Sequence, residues 1–224
     1  MNNHPQADLD WRDGRIPISK KFDDPYFSLE NGLAETQHVF LAGNDLPARF
    51  HDGFQIGELG FGTGLNFLVA WDAWLRSGTK GTLTFTTFEA FPMSVEDTAV
   101  ALAAWPQLDH LIPAFLDELG KGGDTYRFER IALNVVSGDV RETLPNTDLS
   151  ADAWFLDGFS PAKNPEMWEP EVMKQVGLHT KSGGTAATYT AAGFVRRGLA
   201  DAGFEVTRTS GFGRKRHMTR AVKQ

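Results

Sequence analysis

The chain has 224 residues, no cysteine and a formal net charge of −7. This length suits one domain with a sizeable core, and the lack of cysteine excludes disulfides, thiolate nucleophiles and cysteine-ligated metal clusters. The six histidines show no His-x-x-x-His spacing, so we predict no metal site. No apolar run approaches the roughly 20 residues that span a bilayer, and the first residues lack the segments of a secretory signal. We therefore expect a cytoplasmic protein with no membrane partner.

The N-terminal part is predicted to begin with a hairpin. Leu9 to Trp11 and Ile16 to Ser19 flank Asp13-Gly14, a pair suited to the positive φ angles of a tight hairpin turn. The stretch from Lys21 to Phe50 is predicted to be irregular, with a short helix around Gly32 to Leu41.

From Gly53 onward, short apolar runs alternate with longer helical stretches, which is typical of a mostly parallel sheet with crossover helices. The seven predicted strands are Phe54–Leu59, Thr82–Phe88, Leu133–Val136, Ala153–Leu156, Gly184–Thr190, Phe204–Thr209 and His217–Val222. Only seven residues separate the last two, too few for a parallel crossover, so they must be antiparallel if they are neighbours. We predict an α/β fold whose seven-stranded sheet has one antiparallel strand. Residues 53–224 would form one compact domain, on which an extension of residues 1–52 packs.

Helices are predicted between these strands from periodicity, capping residues and prolines. They are Leu65–Leu75, Ser94 to about Trp105, Leu108–Leu119, Asn164 to about His179, and Phe194–Ala202. Ser94 followed by Asp97 resembles a capping box, and Asn164-Pro165 is a suitable helix start. A parallel sheet finished by one reversed strand resembles the Rossmann-like fold of methyltransferases that use S-adenosylmethionine, although a fold alone proves no chemistry.

The strongest local signal is a glycine loop after the first strand of this sheet, Ile56-Gly57-Glu58-Leu59-Gly60-Phe61-Gly62-Thr63-Gly64. Glycines at alternate positions let the backbone approach a ligand closely, so we expect the loop to hold a cofactor. It does not match the dinucleotide fingerprint G-x-G-x-x-G, because Leu65 or Phe67 stands where the last glycine would be. Glu58 suits a cationic methionine group better than a pyrophosphate, which a carboxylate would repel.

Four acidic residues fall at the carboxyl ends of predicted strands: Glu58, Glu89, Asp139 and Asp157. Open α/β sheets bind ligands at that edge. Glu89 could accept hydrogen bonds from both ribose hydroxyls, and Asp139 from an adenine amino group. Taken singly, each acid is more simply explained as a helix N-cap or a solvated loop residue, but the four together favour a ligand site.

Five segments resemble the methyltransferase half of the bifunctional enzymes that modify the wobble uridine of bacterial tRNA. Trp154–Trp168 (WFLDGFSPAKNPEMW) is similar to the active-site segment of that family. Similar to its other signatures, in order, are Phe22–Ser28 (FDDPYFS), Gly60–Phe67 (GFGTGLNF), Phe194–Leu199 (FVRRGL) and Gly211–Arg216 (GFGRKR). The glycine loop is generic to methyltransferases, whereas DGFSPAKNP, FVRRGL and GFGRKR are specific to this family.

The resemblance implies S-adenosyl-L-methionine as cofactor and the tRNA anticodon arm as partner. The implied reaction transfers the methyl group to the primary amine of 5-aminomethyl-2-thiouridine at position 34. An alkylamine is largely protonated at neutral pH, so Asp157 is expected to hold it and to accept or relay its proton, with Phe159 as the second catalytic residue. The expected cofactor-binding residues are Glu58, Gly60, Gly62, Thr63, Gly64, Asn66, Glu89, Asp139, Val140 and Asp157.

A wobble base that is turned out of the anticodon stack needs aromatic faces to receive it. Phe159, Tyr26 and Trp168 are the candidates, and core packing would explain Trp168 equally well. Tyr26 and Asn164 are expected to contact the tRNA substrate.

The last segment is basic: Phe194 to Gln224 carries eight Lys or Arg against Asp201 and Glu205, a local +6 on a remainder of −13. By composition this is most simply a solvated charged helix and hairpin. The resemblance instead implies contacts with anticodon-arm phosphates, which supply affinity without base specificity. The side chains expected to make them are Lys163, Arg196, Arg197, Arg214, Lys215 and Arg216.

Two other functions fit parts of the pattern. An aminopropyltransferase of the same fold would use a decarboxylated form of the cofactor and would not need the basic segment. A non-catalytic RNA-binding module would have a degenerate pocket, against which the intact glycine loop and Glu89 argue.

The bifunctional members of the family also carry an FAD-dependent oxidase domain that acts upstream of the methyl transfer. No second glycine motif occurs in this sequence, so we expect no oxidase step here. The chain would be either a stand-alone methyltransferase or a piece of a longer protein, with the oxidase separate or fused.

Overall fold

The computed structural model describes residues 5–28 and 31–224. A small antiparallel sheet comes first, made of β1 (Leu9–Arg12), β2 (Ile16–Ser19) and β3 (Asp24–Pro25). Asp13 and Gly14 join β1 to β2 with φ angles of 53° and 65°, as a tight hairpin turn requires. The predicted N-terminal hairpin is therefore confirmed.

The short helix predicted around Gly32 to Leu41 is also confirmed. It consists of α1 (Gly32–Thr36), which continues as a π-helical turn over Gln37–Leu41 and a 3-10 turn over Ala42–Asn44. Asn31 caps α1, because its side chain accepts a hydrogen bond from the Ala34 amide at 2.9 Å. The prediction that the first residues form no secretory signal includes residues 1–4, and the prediction of an irregular stretch includes residues 29–30. Both of these ranges lie outside the described residues.

The remaining elements alternate between strands and helices. The strands are β4 (Gln55–Leu59), β5 (Leu83–Glu89), β6 (Thr125–Phe128), β7 (Ile131–Ser137), β8 (Ala151–Leu156), β9 (Thr180–Thr188), β10 (Phe204–Ser210) and β11 (His217–Lys223). The helices are α2 (Leu65–Ser77), α3 (Val95–Leu102), α4 (Ile112–Gly120), α5 (Val140–Thr143), α6 (Pro170–Leu178) and α7 (Gly193–Asp201). None of the helices in the described part of the chain has the length and apolar character needed to cross a bilayer.

The central sheet has the strand order β10-β11-β9-β8-β4-β5-β7-β6. Strands β9, β8, β4, β5 and β7 pair in parallel, which confirms the predicted α/β class with a mostly parallel sheet. β11 lies between β10 and β9 and is antiparallel to both. The antiparallel pairing of the last two strands is thus confirmed as well.

The predicted number of strands was wrong, because the described residues form a central sheet of eight strands and not seven. The additional strand, β6, pairs antiparallel with β7 at the edge of the sheet, so two strands are reversed and not one. β6 has only four residues, of which Tyr126 alone is fully buried. Such a short edge strand depends on its partner, and its sequence lacks the continuous apolar run of a central strand.

The predicted helix from Asn164 to about His179 is interrupted near its start. Pro165–Trp168 form a 3-10 turn, and α6 begins only at Pro170. Proline lacks an amide hydrogen and disfavours helical geometry in the residue before it, so Pro170 can start a helix but cannot continue one. The helix predicted over Leu108–Leu119 likewise begins later than expected, because a 3-10 turn (Pro106–Leu108) comes first and α4 starts at Ile112.

The core lies on both faces of the parallel sheet. All six residues of β8 are buried. Two adjacent residues of this strand, Trp154 and Phe155, belong to hydrophobic clusters on opposite faces of the sheet. Burying each such side chain contributes about 1.5–3 kcal/mol. Two covered faces leave the carboxyl edge of the sheet as the accessible place for a ligand.

Candidate active site

A cavity of ≈ 640 Å³ lies at the carboxyl ends of β4, β5, β7 and β8. Most of the predicted cofactor and catalytic residues line it, namely Gly60, Gly62, Thr63, Asn66, Glu89, Asp139, Val140, Asp157 and Phe159, together with Tyr26, Asn164 and Lys215. Glu58 and Gly64 lie behind this lining, and Lys163, Arg196, Arg197, Arg214 and Arg216 lie outside it. One cavity therefore joins the glycine loop to the segment of Asp157. The described residues bring together no cluster of His, Asp or Glu side chains that could hold a metal ion.

The loop between β4 and α2 requires glycine at three positions. Gly60, Gly62 and Gly64 have φ angles of 88°, 55° and 77°, values that side-chain-bearing residues rarely adopt. A Cβ atom on Gly60 would lie 2.9 Å from the carbonyl oxygen of Asp157, and one on Gly64 would lie 2.7 Å from the ring of Phe115. The loop backbone is thus packed directly against the segment that carries Asp157.

Glu89 ends β5 and is held by backbone amides. Its Oε2 accepts from Gly62 N at 3.0 Å, and its Oε1 accepts from Phe91 N at 2.8 Å. Burial raises the pKa of Glu89, and these amide hydrogen bonds oppose that rise. Each carboxylate oxygen keeps further acceptor capacity at the cavity wall, as a ribose-binding acid would need.

Asp139 caps α5, and its oxygens are already occupied in part. It accepts from Arg141 N at 2.9 Å, and its Oδ2 accepts from Arg141 Nη2 at 2.6 Å. The hydrogen bond from Arg141 lowers the pKa of Asp139. The predicted adenine contact stays a prediction, since the structure shows the N-cap role that the sequence also allowed.

Asn66 joins two carboxylates, those of Glu58 and Asp157, for which the sequence predicted no connection. Its Nδ2 donates to Glu58 Oε1 at 2.9 Å and to Asp157 Oδ2 at 2.7 Å, and its Oδ1 accepts from Thr36 Oγ1 at 2.9 Å. Both amide hydrogens of Asn66 are thus used within the protein. Asn66 therefore orients Asp157, and its predicted contact with the cofactor stays a prediction.

Burial governs the protonation of both acids that Asn66 joins. It raises the pKa of Asp157 to about 7, while Asn66 and Lys215 oppose the rise and Glu35 adds to it. The pKa of Glu58, whose side chain is 0% exposed, is raised well above its usual range by burial. Glu58 Oε2 has no hydrogen-bond partner among the described residues. Asp157 can therefore exchange a proton near neutral pH, whereas the environment of Glu58 favours the neutral acid.

Three aromatic rings stand together next to Asp157. The ring of Phe159 stacks on Phe22 with a centroid distance of 4.9 Å and meets Tyr26 edge-on at 5.0 Å. All three line the cavity. Trp168 does not; it is 1% exposed, and its Nε1 donates to the carbonyl of Phe159 at 2.8 Å. Of the two explanations for Trp168, the structure supports core packing.

The N-terminal residues Asp23 and Asp24 hold the loop that follows Asp157. Asp24 Oδ2 accepts from the amide of Ser160 at 2.9 Å. Lys163 donates to the carbonyl oxygen of Asp23 and pairs with its carboxylate at 3.1 Å. Asn164 is 6% exposed and lines the cavity. Lys163 is therefore engaged within the protein as well as being a predicted phosphate contact.

The predicted RNA-binding side chains lie near the same edge of the sheet. Arg196 and Arg197 are in the first turns of α7, which follows the carboxyl end of β9, and Arg214 and Arg216 are exposed in the β10–β11 turn. Lys215 differs from them, because it lines the cavity and pairs with Glu35 at 2.7 Å.

Several cavity residues were missed by the sequence predictions: Phe22, Glu35, Thr36, Phe91 and Tyr189. Tyr189 follows β9 directly, so the rule that placed acids at carboxyl strand ends could have found it. Phe91 lies two residues after Glu89 and could have been found in the same way. Glu35 and Thr36 belong to α1 and gave no signal in the sequence.

The chain matches the model of one protein family, described as S-adenosyl-L-methionine-dependent methyltransferase, over residues 108–224. It is 45% identical to a protein of Stutzerimonas stutzeri named tRNA 5-methylaminomethyl-2-thiouridine biosynthesis bifunctional protein MnmC, over 100% of this chain and 36% of that protein. A protein of the same name from Chromobacterium violaceum is 45% identical, over 96% of this chain and 34% of that protein. The chain thus spans about a third of the length of these curated relatives.

Among solved structures, MnmC2 from Aquifex aeolicus superposes with a TM-score of 0.75 at 27% identity, covering 98% of this chain and 71% of that one. TrmN from Thermus thermophilus superposes with a TM-score of 0.50 at 15% identity, over 92% of this chain and 52% of that one. The second likeness shows a shared fold and nothing more.

Proposed function

The chain belongs to the S-adenosyl-L-methionine-dependent methyltransferase family, and on that premise we propose that it methylates the primary amine of 5-aminomethyl-2-thiouridine at tRNA position 34. The product would be 5-methylaminomethyl-2-thiouridine. One observation carries the proposal: the glycine loop and Asp157 meet in a single cavity, with no room for a Cβ atom between Gly60 and the Asp157 carbonyl. The names of the relatives, which specify this nucleoside, support it.

The residues present fit S-adenosylmethionine. The backbone of Gly60 and Gly62 forms part of the cavity wall, and Glu89 lies at the same wall with acceptor capacity for ribose hydroxyls. Behind them, Glu58 has a buried oxygen without a partner among the described residues, and a nearby cation would favour its ionised form. When bound, this cofactor supplies an electrophilic methyl group on a sulfonium centre.

Asp157 is proposed to prepare the amine for attack. A primary alkylamine must lose a proton before its nitrogen has a free lone pair. Because burial raises the pKa of Asp157 to about 7, its carboxylate can accept that proton near neutral pH, where a general base works best. Asn66 keeps Oδ2 as a hydrogen-bond acceptor, which leaves Oδ1 for the amine. The chain otherwise has to align the amine with the methyl donor.

The aromatic rings and basic side chains are proposed to recognise RNA. Phe159 and Tyr26 offer apolar surface at the cavity wall to a base that has left the anticodon stack. Arg196, Arg197 and Arg216 lie near the same edge and would contact phosphates of the anticodon arm. A tRNA substrate agrees with the expectation of a cytoplasmic enzyme.

The relatives are named bifunctional, and this chain corresponds to about a third of their length. We assign only methyl transfer to the residues described. An FAD-dependent oxidase, separate or fused, would be the partner that acts before this step.

The test is incubation of the protein with methyl-labelled S-adenosylmethionine and tRNA from cells that lack the final modification, followed by nucleoside mass spectrometry. We expect the label in 5-methylaminomethyl-2-thiouridine. Asp157→Asn should lower the rate by about 10²–10⁴-fold, because it removes the general base. Cofactor affinity, measured by calorimetry, should change little.

Two results would contradict the proposed reaction: label in a different nucleoside, and no transfer to RNA by a protein that binds the cofactor. Undiminished transfer by Asp157→Asn would contradict the role of Asp157 and leave the substrate assignment intact.

A further inference from the structure

Glu35 and Lys215 form an ion pair in the wall of the cavity. Glu35 lies in α1, and Lys215 lies in the β10–β11 turn. Lys215 Nζ is 2.7 Å from Glu35 Oε1 and 4.1 Å from the ring centroid of Tyr189. Glu35 is nearly buried, with 12% of its side chain exposed, against 46% for Lys215. A pair this close, with one partner withdrawn from solvent, is screened less than a surface pair.

Both ends of this pair are linked to Asp157 by short chains of contacts. On one side, Thr36 follows Glu35 and donates to Asn66, which in turn donates to Asp157 Oδ2. On the other side, Tyr189 lies under the Lys215 ammonium and donates its hydroxyl to the carbonyl of Gly158 at 2.8 Å. The pair and the carboxylate are therefore parts of one contact network.

We propose that Glu35 and Lys215 are a charge-balanced positioning pair that sets the ionisation of Asp157 for methyl transfer, which gives Lys215 a role inside the cavity in place of a phosphate contact. The proposal rests on the proposed function for its catalytic meaning. Its physical content, the effect of two opposite charges on one carboxylate, can be measured without RNA.

The signs of the two charges make the proposal specific. Glu35 raises the pKa of Asp157 and Lys215 lowers it. Of the other groups around Asp157, Asn66 donates to it, Glu58 lies behind Asn66, and Tyr189 is neutral because burial holds its pKa well above the usual range. Asp24 and Glu89 line the same cavity. Among the described residues, Lys215 is the cation that lowers the pKa of Asp157, and Glu35 offsets this effect.

The two charges also affect the substrate. If Glu35 were absent, an ammonium group brought to Asp157 would meet the unbalanced positive charge of Lys215 in the wall of the same cavity, and like charges repel. With Glu35 present the pair is neutral as a whole, so the ionised Asp157 attracts the amine without opposition from Lys215. We expect the pair to affect the protonation of Asp157 more than affinity for RNA.

The test is a carbon-13 NMR titration of Asp157 in the full chain, labelled at aspartate carboxyl carbons and assigned by loss of the signal in Asp157→Asn. Glu35→Gln should lower the Asp157 midpoint, Lys215→Met should raise it, and the double variant should return it towards that of the wild type. Lys215→Arg, which keeps the charge, should stay close to the wild type. Glu171→Gln is the matched control, because it removes a carboxylate from an exposed pair with Lys174 outside the cavity.

Shifts in the same direction for Glu35→Gln and Lys215→Met, or no shift in either, would overturn the proposal. So would a Lys215→Met variant that binds RNA with a smaller salt dependence while its Asp157 titration is unchanged, since that result assigns Lys215 to a phosphate. If the wild type methylates no RNA, the proposed function fails, but the titration still decides the role of the pair. In an active enzyme, the acidic limb of the pH–rate profile should move with the NMR midpoint.

Discussion

Asp157→Asn should make the protein more stable at alkaline pH while lowering its methyl-transfer rate. In the wild type, burial raises the pKa of this carboxyl from 3.8 to about 7. A difference of that size corresponds to at most about 4 kcal/mol, because each pH unit is worth about 1.36 kcal/mol. The asparagine carries no charge and can still accept the hydrogen bond from Asn66.

The sign follows from proton binding. The folded protein holds the Asp157 proton up to about pH 7, whereas an unfolded chain releases it near pH 4. The stability contributed by this proton is fully present below about pH 4 and is lost as the pH rises towards 7. The variant has no such loss, so its advantage in free energy of unfolding should grow across this window and then level off.

Urea unfolding followed by tryptophan fluorescence at several pH values measures this difference. Asp148→Asn is the matched control, because Asp148 is exposed in the loop before β8, and its curve should run parallel to that of the wild type. A difference in free energy of unfolding between Asp157→Asn and the wild type that stays constant at all pH values would refute the reasoning. It would mean that burial does not raise the pKa of Asp157.

Three other substitutions test the glycine loop, the predicted ribose-binding residue Glu89, and the basic side chains near the carboxyl edge of the sheet. Gly60→Ala should lose about 1–3 kcal/mol of stability and bind S-adenosylmethionine more weakly, since its Cβ would meet the Asp157 carbonyl; Gly120→Ala, with open space around it, should do neither. Glu89→Gln should weaken cofactor binding by about 1.5–3 kcal/mol in calorimetry, and unchanged affinity would remove this acid from the site. Arg197→Ala should reduce the salt dependence of RNA binding by about 0.7 in the log–log slope; an unchanged slope would mean that this side chain contacts no phosphate.

The fold was predictable where burial leaves a pattern in the sequence. The continuous apolar runs of β7 and β8 predicted central strands, and the Asp13-Gly14 pair predicted the hairpin turn that the φ angles confirm. β6 was missed because a four-residue edge strand has no such run. The start of α6 was misplaced because two prolines stood near it, and sequence alone does not show which one begins the helix.

The candidate site was predictable in its local parts and not in its long-range ones. The glycine loop, Glu89 and Asp157 were predictable from their places at strand ends. Of the loop glycines Gly60, Gly62 and Gly64, the first two line the cavity. The amide of Asn66 that joins two carboxylates depends on a strand and a helix coming together. The pair of Glu35 and Lys215 joins residues 180 positions apart, and such a contact leaves no local pattern.

The most direct test of the account is a crystal structure of the chain with S-adenosylhomocysteine. We predict that the ligand lies along Gly60 to Gly64, with its ribose hydroxyls on Glu89 and its sulfur directed towards Asp157. A ligand bound elsewhere, or one whose sulfur points away from Asp157, would contradict the claim that this cavity aligns a methyl donor with an amine.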